Sequence, residues 1–461
     1  MAIDRLSSED VLMLQADRAW PQDIGALAIL DGGALLDPAG GLRIDEAREA
    51  ILSRLHLVPR FRQRLHVPRG GLGGPLWVDC PELDLVEHVR VRPLPPGSGE
   101  SELLAAIEEL RRDRLDPSRP LWAMWFLPGL AKGRVGLFIR IHHAIADGMA
   151  AMAIVAALLD PVPDAAPTAP QPWTPARPPR EWDLLVDSVV RRVRGFLGAF
   201  SFLGHPKSTL RLLRALWPAS REILAEEPAP RTSLDRLIGP DRSLALVRTE
   251  IDDIKAVARA ADATVNDVLL AATAASLRAL LRHRGEPVEG TTARVFVPVS
   301  LRRGRPQLQG NLIAQMVVPL PLGAAEPTAR LRRIATETGE RKARSRAPLG
   351  TLFRGGILTK LLLKAVVRQR VNVGTANIHG PEVPLYLAGA RLLEVFPVLN
   401  LIGNVGLSVG ALSYAGSFDI CVVADRDTYP DLEVFAAGLR DELRALGVPT
   451  DRRSGSAAAV A

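Results

Sequence analysis

Cysteine is scarce in this chain, since only Cys80 and Cys421 occur among 461 residues. Two cysteines exclude a disulfide scaffold and a zinc site built on cysteine, and they favour a reducing, cytoplasmic setting. Aromatic residues are also few, at 5% of the sequence, whereas 47% of the residues are hydrophobic and 24% are charged. This length and balance predict a large globular protein that buries two or more cores.

Long apolar runs are missing as well. No run of about 18 apolar residues occurs, so a membrane-spanning helix is not expected. The longest stretch without charge lies between Glu394 and Asp419, and its proline, asparagine and glycine residues indicate strands and turns. The first residues, MAIDRLSSEDVLML, carry acids early and lack a basic segment followed by an apolar one. We therefore expect no signal peptide.

Positive charge is concentrated in two stretches. Seven basic residues and no acid occur from Ser188 to Arg221, and nine basic residues and no acid occur from Arg341 to Pro381. Apolar residues at near-helical spacing in both stretches predict basic amphipathic helices that bind an anionic membrane or lipid-droplet surface. The competing interpretation is a solvated helix face that packs on the protein's own core. Neither stretch has interleaved aromatics or a nucleic-acid-binding motif, so no nucleic acid partner is expected.

The chain divides into four parts by composition. Residues 1–160 mix short β-branched runs with helical patterns. Eight prolines between residues 161 and 179 predict an extended linker, and a basic, mostly helical crossover completes the part 161–231. Strand and helix patterns alternate again over 232–449, and a small, polar or alanine-rich tail covers 450–461. The predicted architecture is two α/β halves of similar size joined by a long connection.

The segment from Arg134 to Asp160 holds a strand pattern, two histidines and an apolar helix pattern. Apolar residues alternate from Val135 to Ile141, which predicts a strand with one face more deeply buried. His142 and His143 follow at the strand end. Imidazole suits proton transfer because its reference pKa is about 6.5. Neighbouring residues of a strand point to opposite sides, so one ring can act as a base while the other is held structurally.

A turn at Asp147 and Gly148 leads to an apolar helix over residues 149–159. Asp147 has two interpretations: it caps the helix that follows, or it pairs with an arginine and fixes the turn. The other six histidines form no ligand-spaced cluster around this turn, and a metal site would need a third ligand that the sequence does not identify. The sequence also lacks the serine-nucleophile G-x-S-x-G motif and a phosphate loop. The segment therefore favours proton transfer by histidine.

HHAIADG at 142–148 fits the HHxxxDG signature of the coenzyme A-dependent acyltransferase superfamily, which includes condensation domains of nonribosomal peptide synthesis. More narrowly, the chain resembles the bacterial wax ester synthase/diacylglycerol acyltransferase family nearly end to end. The matching segments, in the family's order, are LSSEDVLML, VPRFRQRL, LWVDC, DLVEHVR and RPLW before the histidines, and TSLDRLIGPDR, TVNDVLLA, VPVSLR, GN and NIHGP after the linker. One such motif would mean little, whereas this many in order make the resemblance specific.

The resemblance implies an α/β fold of two chloramphenicol acetyltransferase-like halves, a condensation-domain-like pseudo-dimer with the active site in a channel between them. It implies acyl transfer from a long-chain acyl-CoA to diacylglycerol or a long-chain alcohol, giving triacylglycerol or wax ester. His143 is then the general base, His142 orients the site, Asp147 holds the loop and Gly148 contacts substrate. Acyl-CoA is a substrate of this reaction, and neither a cofactor nor a metal is required.

The second half supplies further candidate residues. By the same resemblance, Asn266 lies near the channel and is a candidate for a hydrogen bond to substrate. Thr264 and Asp267 form the T-x-x-D pattern of a capping box, so we expect Asp267 to be structural. The resemblance to condensation domains implies that Arg302 pairs with Asp147 across the two halves, and an ordinary exposed arginine is the competing interpretation.

Three positions depart from the family's pattern. Asp235 stands where the family commonly has asparagine, His379 where proline is usual, and Ala123 where an acid commonly follows RPLW. None of these changes removes the implied base, but they leave the choice of acceptor open. Two alternatives to the lipid reaction therefore stand at this point: an acyltransferase with a polyketide, amine or carrier-bound acceptor, and a weakly catalytic protein that binds a lipid surface.

Overall fold

A computed structural model describes residues 3–70, 72–165, 171–204, 231–300, 313–344 and 371–451. Within these ranges the helices are α1 (Ser8–Asp17), α2 (Ile44–Arg54), α3 (Leu85–His88), α4 (Glu100–Arg112), α5 (Gly148–Ala157), α6 (Glu181–Gly204), α7 (Ile251–Ala260), α8 (Val265–His283), α9 (Pro327–Arg344) and α10 (Leu432–Ala445). The strands are β1 (Asp23–Asp31), β2 (Gln63–His66), β3 (Leu76–Asp79), β4 (Val89–Val91), β5 (Trp122–Leu130), β6 (Arg134–His142), β7 (Arg242–Glu250), β8 (Thr292–Ser300), β9 (Ile313–Pro321), β10 (Val373–His379), β11 (Tyr386–Leu387), β12 (Ala390–Val398), β13 (Leu407–Tyr414) and β14 (Ser417–Asp425).

The strands form two six-stranded mixed sheets and a separate β2-β3 ribbon. The first sheet has the order β11-β12-β1-β6-β5-β4, and the second has the order β7-β14-β13-β10-β8-β9. Antiparallel pairs predominate, but β4 runs parallel to β5 and β10 runs parallel to both β13 and β8. The expectation of two α/β halves is confirmed by this arrangement.

One strand pair crosses between the halves. β11 and β12 belong to the C-terminal part of the chain, yet β12 pairs with β1 in the first sheet, with Gly25 opposite Val398. β1 pairs on its other side with β6, with Asp23 opposite His142. A division of the chain near residues 160 and 232 remains our proposal for its layout, but this strand exchange was not foreseen. It makes the first sheet depend on both parts of the sequence.

Within the described residues, three large apolar cores hold the fold together, and a smaller cluster contains Leu76, Val78 and Leu184. The first lies between the outer face of the first sheet and helices α2 and α5. The second lies between the second sheet and helices α7 to α10. The third joins the inner faces of the two sheets, where Leu27 and Phe138 of the first sheet lie in one cluster with Leu246 and Val423 of the second. Burial of apolar surface in this third core stabilises the contact between halves.

The third core buries the second face of β6, so the expected burial of this strand was wrong. The alternating pattern predicted one more deeply buried face, but every residue from Val135 to His142 is buried. Ile139 packs in the first core, and Phe138 packs in the core between the sheets. The second face is buried because the other half of the protein covers it, and a periodic pattern within one strand carries no signal for such a partner.

The proline-rich connection lies against the first half over its described part. Residues 171–180 form neither helix nor strand. The guanidinium of Arg62 lies 5.1 Å from the ring centroid of Trp173, and the backbone N–H of Ala176 donates to Asp79 at 2.8 Å. The predicted helical crossover begins as α6, and its continuation over 205–230 lies outside the described residues. The apolar positions of the second basic stretch, from Leu352 to Val366, also lie outside them.

The helices of the described ranges are short or carry charged residues. No single helix there is long and apolar enough to cross a membrane. One bent pair, Ile251–Ala260 with Val265–His283, meets the length and composition criterion only when the two are taken together across a 91° bend.

A buried acidic pair lies where β12 meets β14. The Asp419 carboxylate accepts hydrogen bonds from the Ser417 hydroxyl at 2.9 Å and the Val395 backbone at 3.2 Å. Glu394 lies beside it and pairs with Arg248 at 2.9 Å. Burial and the neighbouring Glu394 charge raise the pKa of Asp419 to about 7. Asp419 is therefore a carboxyl group that the fold favours in its protonated form.

Candidate active site

The histidine turn connects the end of β6 to the start of α5. α5 begins at Gly148, and Asp147 is its N-cap residue, with its carboxylate accepting the Ala150 backbone N–H at 2.9 Å. The capping interpretation of Asp147 is thereby confirmed, since this bond satisfies a helix N–H that has no partner within the helix. Asp147 is almost completely buried. Arg302, its expected ion-pair partner, lies outside the described residues.

His142 is held on both ring nitrogens. Its side chain is buried, at 4% relative exposure. Nδ1 accepts the Ala144 backbone N–H at 3.0 Å, and Nε2 lies 3.5 Å from Oδ1 of Asp17. A neutral imidazole that accepts at Nδ1 carries its proton on Nε2, where it faces the Asp17 carboxylate. Both nitrogens therefore have structural partners.

His143 lies at the same strand end but in a different environment. Its side chain is partly exposed, whereas the His142 ring is buried. Its backbone N–H donates to the carbonyl oxygen of Gln22 at 2.8 Å, beside the β1–β6 pairing. The expectation that the two rings take different roles is consistent with this difference in burial.

Three of the sequence motifs meet in one aromatic stack below the turn. Trp122 of RPLW stacks on Phe61 of VPRFRQRL and on His88 of DLVEHVR, each with a ring separation of 4.4 Å. The indole N–H of Trp122 donates to the Phe61 carbonyl at 2.9 Å, and Nδ1 of His88 lies 2.8 Å from the Trp122 carbonyl. Burial lowers the pKa of His88. The neighbouring Leu121 carbonyl accepts the His142 backbone N–H at 2.9 Å, so the stack supports the strand end.

A buried ion pair explains how the Ala123 departure is tolerated. Ala123 lies directly opposite Arg140 across β5 and β6, so an acid at residue 123 would lie beside that guanidinium. In this chain Asp23 supplies the carboxylate, with Oδ2 at 2.9 Å from Nε of Arg140. Burial raises the pKa of Asp23, but the charges of Arg140 and Arg111 outweigh this effect and leave the pKa below its ordinary value. Arg140 thus has a carboxylate partner, Asp23, although residue 123 is not an acid.

The turn also contacts the second half. A Cβ atom placed on Gly148 would lie 3.1 Å from Cδ1 of Ile378 on β10. The start of α5 therefore lies against the second sheet, which is where the sequence expectation puts the channel. Glycine at this position permits the close approach of the two halves.

The candidate residues of α8 lie at its N-terminus. The capping box of Thr264 and Asp267 is confirmed, with both reciprocal hydrogen bonds present. Asp267 is buried and also accepts the Thr338 hydroxyl of α9 at 2.7 Å. Asn266 is partly exposed beside it. None of the described hydrogen bonds joins Asn266 to the histidine turn, so its substrate contact remains a prediction.

The other two departures lie in the second half of the chain. Asp235 accepts the Thr232 backbone N–H at 3.0 Å and lies 3.4 Å from the Asn372 amide. His379 is exposed at the end of β10. Gly310 and Asn311 of the GN motif fall outside the described residues.

A cavity of about 150 Å³ lies next to the buried side of the turn. Its walls include His142, Asp17, Asp23 and Arg114, together with apolar side chains such as Leu121. This volume accommodates water molecules that can hydrogen-bond to these polar groups. Among the described residues no group of three or more His, Cys, Asp or Glu side chains is arranged to hold a metal ion.

Asp17, Gln22 and Asn400 were not identified from the sequence. Asp17 contacts His142, and Gln22 contacts the His143 backbone. Asn400 reaches Gln22 from the chain segment after β12, with its amide donating to the Gln22 side chain at 2.8 Å. No spacing signal links these residues, because the strand exchange alone brings Asn400 to this end of β1.

Comparisons with known proteins give a consistent result. The model of the wax ester synthase/diacylglycerol acyltransferase catalytic domain matches residues 6–269, and the model of the C-terminal domain of the same family matches residues 309–447. The protein named "Probable diacyglycerol O-acyltransferase tgs1" from Mycobacterium tuberculosis is 31% identical over 483 aligned positions, covering 97% of this chain and 95% of that protein.

Two solved structures agree with this fold. The wax ester synthase/diacylglycerol acyltransferase from Marinobacter aquaeolei VT8 matches with a TM-score of 0.67 and 27% identity, covering 96% of this chain and 98% of that one. The starter condensation domain of rhizomide synthetase matches with a TM-score of 0.61 over 96% of this chain and 93% of that one, at 15% identity. The latter likeness concerns the fold alone and confirms the expected condensation-domain-like architecture.

Proposed function

Since this chain belongs to the wax ester synthase/diacylglycerol acyltransferase family, we propose that it moves a long-chain acyl group from acyl-CoA to diacylglycerol or a long-chain alcohol. The protein is an acyl-CoA-dependent O-acyltransferase, and its products are triacylglycerol or wax ester, which are storage lipids. Support for this activity comes from the two family models and from relatives named diacylglycerol O-acyltransferase that span nearly the whole chain.

His143 acts as the general base in the proposed reaction. It takes the proton of the acceptor hydroxyl while the hydroxyl oxygen attacks the thioester carbonyl. The resulting tetrahedral intermediate breaks the carbon–sulfur bond, and the thiolate of CoA receives the proton from His143 and leaves as the thiol. General-base assistance of this kind typically contributes about 10²–10⁴-fold in rate. Both substrates are bound together, so no covalent acyl-enzyme is formed.

The observation that carries this assignment is the difference between the two histidines. Nδ1 of His142 accepts a backbone N–H and its Nε2 faces Asp17, so this buried ring has a structural role. His143 is the partly exposed member of the pair, and its backbone is fixed beside β1. His142 therefore orients the site, and His143 is the side chain that exchanges a proton with substrate.

The remaining candidate residues have supporting roles in this proposal. Asp147 holds the loop as the cap of α5, and Arg302 is the partner that the family resemblance implies for it. Gly148 and Asn266 contact substrate, while Asp267 keeps the start of α8 in place through its capping box. Acyl-CoA and the acceptor supply every atom that the reaction needs, so the proposed mechanism uses no cofactor.

The test is release of CoA from palmitoyl-CoA by the purified full chain, with diolein and hexadecanol offered separately. We expect acceptor-dependent release that His143→Ala loses. His283→Ala is the matched control, because His283 is an exposed histidine in the last turn of α8, at the opposite end of that helix from Asn266. The acceptor with the higher kcat/KM identifies the preferred product.

Two results would contradict the proposal. Equal CoA release by the wild-type chain and by His143→Ala would remove the general-base role. The absence of release with both lipids would exclude a lipid acceptor and would favour a polyketide, amine or carrier-bound acceptor, or a protein that only binds a lipid surface.

We further propose that α6 holds the enzyme on an anionic lipid surface. Trp182, Val186, Val189 and Val193 form one stripe along this helix at spacings of three and four residues. All four side chains are exposed, Trp182 by 69%. The buried Leu184 is on the opposite side of α6 and packs against the β2-β3 ribbon. An apolar stripe of this kind inserts into the boundary between lipid headgroups and acyl chains.

The charges of α6 complement such a surface. Arg192 and Arg194 lie on either side of the stripe, given 3.6 residues per helical turn. The helix is fastened to the first half on its other side, where Asp187 accepts a hydrogen bond from Arg5 at 2.6 Å. The apolar stripe is therefore presented outward on an anchored helix, with cations that attract anionic headgroups. This location would bring the site to its lipid acceptor.

Vesicle binding tests the proposed surface. We expect the protein to sediment with phosphatidylglycerol vesicles more than with phosphatidylcholine vesicles, and the double variant Val186→Asp/Val189→Asp to lose most of this binding. Leu237→Asp is the matched control, since Leu237 is 69% exposed outside α6. Unchanged sedimentation of the double variant, or no vesicle binding by the wild-type chain, would contradict the proposal.

A further inference from the structure

The backbone on both sides of the His143 side chain is held by buried acceptors. The N–H of His143 itself donates to the Gln22 carbonyl at 2.8 Å. The next N–H along the chain, that of Ala144, donates to Nδ1 of His142 at 3.0 Å. Two consecutive peptide N–H groups are thus fixed, so the Cα atom between them has little freedom to move. The direction in which the His143 side chain leaves the backbone is set by these two hydrogen bonds.

One carboxylate oxygen organises both of these bonds. Oδ1 of Asp17 accepts the Gln22 backbone N–H at 2.8 Å, which places the Gln22 carbonyl that holds His143. The same oxygen lies 3.5 Å from Nε2 of His142. This contact favours the His142 tautomer that carries its proton on Nε2, and only that neutral tautomer leaves Nδ1 free to accept from Ala144. Asp17 therefore influences the position of His143 through two contacts, one with the Gln22 backbone and one with His142.

Gln22 is a buried polar residue with every group engaged. It is 1% exposed, and its side-chain amide donates to the Trp20 carbonyl at 3.0 Å. Its side-chain oxygen accepts the Asn400 amide at 2.8 Å. Asn400 follows β12, the strand that the C-terminal part of the chain contributes to the first sheet. The support for the base thus includes a residue from the other half of the protein.

Asp17 remains ionised in this setting. Burial raises its pKa, but hydrogen bonds from His142 and from the Gln22 backbone, together with the charge of Arg114, lower the pKa below its ordinary value. Arg114 contacts the other carboxylate oxygen at 3.2 Å. The carboxylate is therefore an acceptor throughout the range in which a histidine base works.

We propose that Asp17 is a positioning residue for His143, acting through Gln22 and through the tautomer of His142. The inference rests on the proposed function, because it treats His143 as the base. Asp17 touches neither the base nor the reacting atoms. Its effect is to keep the attacking geometry, and misplacement of a catalytic group by about 1 Å can cost roughly 100-fold in rate.

The first experiment compares Asp17→Ala with Asp31→Ala in the palmitoyl-CoA assay. Asp31 is the last residue of β1, at the end of that strand far from Gln22, and its carboxylate accepts the backbone N–H of Gly33, so it is a matched control. We expect Asp17→Ala to lower kcat by about 10- to 100-fold while the KM for palmitoyl-CoA stays near that of the wild type. Asp31→Ala should keep kcat. A kcat for Asp17→Ala within about twofold of wild type would overturn the proposal.

A second pair of variants tests the role of the His142 tautomer. These variants keep Asp17, so they also serve if Asp17→Ala does not fold. His142→Asn keeps an acceptor at the position of Nδ1, whereas His142→Leu removes it. We expect His142→Asn to retain more kcat than His142→Leu, since only the former still accepts from Ala144. Equal kcat values for the two variants would contradict the role assigned to Nδ1.

A spectroscopic readout separates this inference from the proposed function. In the ¹⁵N spectrum of the histidine-labelled chain, we expect His142 to show a protonated Nε2 and an unprotonated Nδ1 in the wild type and in Asp31→Ala. Where Asp17→Ala folds, that pattern should change. An unchanged pattern in Asp17→Ala would overturn the inference even if the protein proved inactive on lipid acceptors, whereas loss of activity in His143→Ala alone tests the base.

Discussion

Nδ1 of His142 accepts the backbone N–H of Ala144 across a distance of 3.0 Å. This bond distinguishes two histidines that are adjacent in the sequence, because it engages the first ring in the turn, whereas the second ring is partly exposed. The bond also joins the residues on either side of His143, the residue proposed as the base. The histidine turn is therefore a small hydrogen-bonded unit whose stability should respond to changes in its members.

The cap of α5 can be tested by Asp147→Ala. Removing the acceptor for the Ala150 N–H should lower the free energy of unfolding by about 0.5–2 kcal/mol. Urea unfolding measures the loss, and CoA release should fall as the loop loses its support. Asp147→Ser is the matched variant, because a serine hydroxyl also caps a helix. Equal losses of stability in the two variants would argue against capping as the role of Asp147.

The contact between α5 and the second sheet predicts the effect of Gly148→Ala. The added methyl group would meet Ile378 Cδ1 at 3.1 Å, which is tighter than an ordinary van der Waals contact. We expect a loss of about 1–3 kcal/mol in unfolding free energy, together with lower kcat, since the two halves must separate slightly. Ile378→Val removes the obstructing methyl group, so the double variant should recover part of the loss. If the double variant recovered none of the lost unfolding free energy, the contact with Ile378 would not be the cause of the loss.

The aromatic stack predicts the effect of Trp122→Phe. The phenyl ring can still stack on Phe61 and His88, but it cannot donate to the buried Phe61 carbonyl. We expect a loss of about 1–3 kcal/mol in unfolding free energy, the usual cost of a buried unsatisfied carbonyl. Trp125→Phe provides a comparison at a tryptophan of the same strand, for which a smaller loss is expected. Equal losses would show that the indole N–H contributes little.

The pKa of Asp419 predicts a pH-dependent stability. Its folded-state pKa of about 7 lies above an unfolded-state value of about 3.9. The folded state therefore binds the proton more tightly, and this contribution to stability is full below about pH 4 and is lost as pH rises through about 7. Asp419→Asn keeps the neutral form. It should raise the unfolding free energy relative to wild type at pH 8, and the difference should shrink at pH 5.

A matched carboxylate gives the control for this measurement. Asp425 is equally buried, but it pairs with Arg242 and accepts hydrogen bonds from the Gly239 backbone and from Thr428. Asp425→Asn removes a paired charge and should lower the unfolding free energy at pH 8. Urea titrations at the two pH values measure both variants. If Asp419→Asn also destabilised the protein at pH 8, the raised pKa of Asp419 would be wrong.

Elements with a strong local pattern were predicted from the sequence. The strand before His142, the helix after Asp147 and the capping box of Thr264 with Asp267 all follow from residues within a few positions of one another. Such features depend on backbone geometry and local hydrogen bonds, so a short window of sequence is sufficient to identify them.

Features that depend on distant contacts were missed. The strand exchange brings β12 beside β1, and with it Asn400 to Gln22. Asp17 reaches His142 from the end of α1, and Asp23 pairs with Arg140, the residue opposite Ala123. Each of these pairs is far apart in the chain. Composition and periodicity carry no information on which distant segments meet.

The sequence therefore predicted which residue types form the turn. The tertiary structure decided how the environments of His142 and His143 differ. Two imidazoles at a strand end, followed by Asp147 and Gly148, predicted proton transfer by histidine, and the resemblance carried by the ordered motifs implied acyl transfer. The fold decided that the His142 ring is buried against Asp17 while His143 is partly exposed. The physical reason is that burial and hydrogen bonding set which imidazole is held, and both depend on residues that only the folded chain brings together.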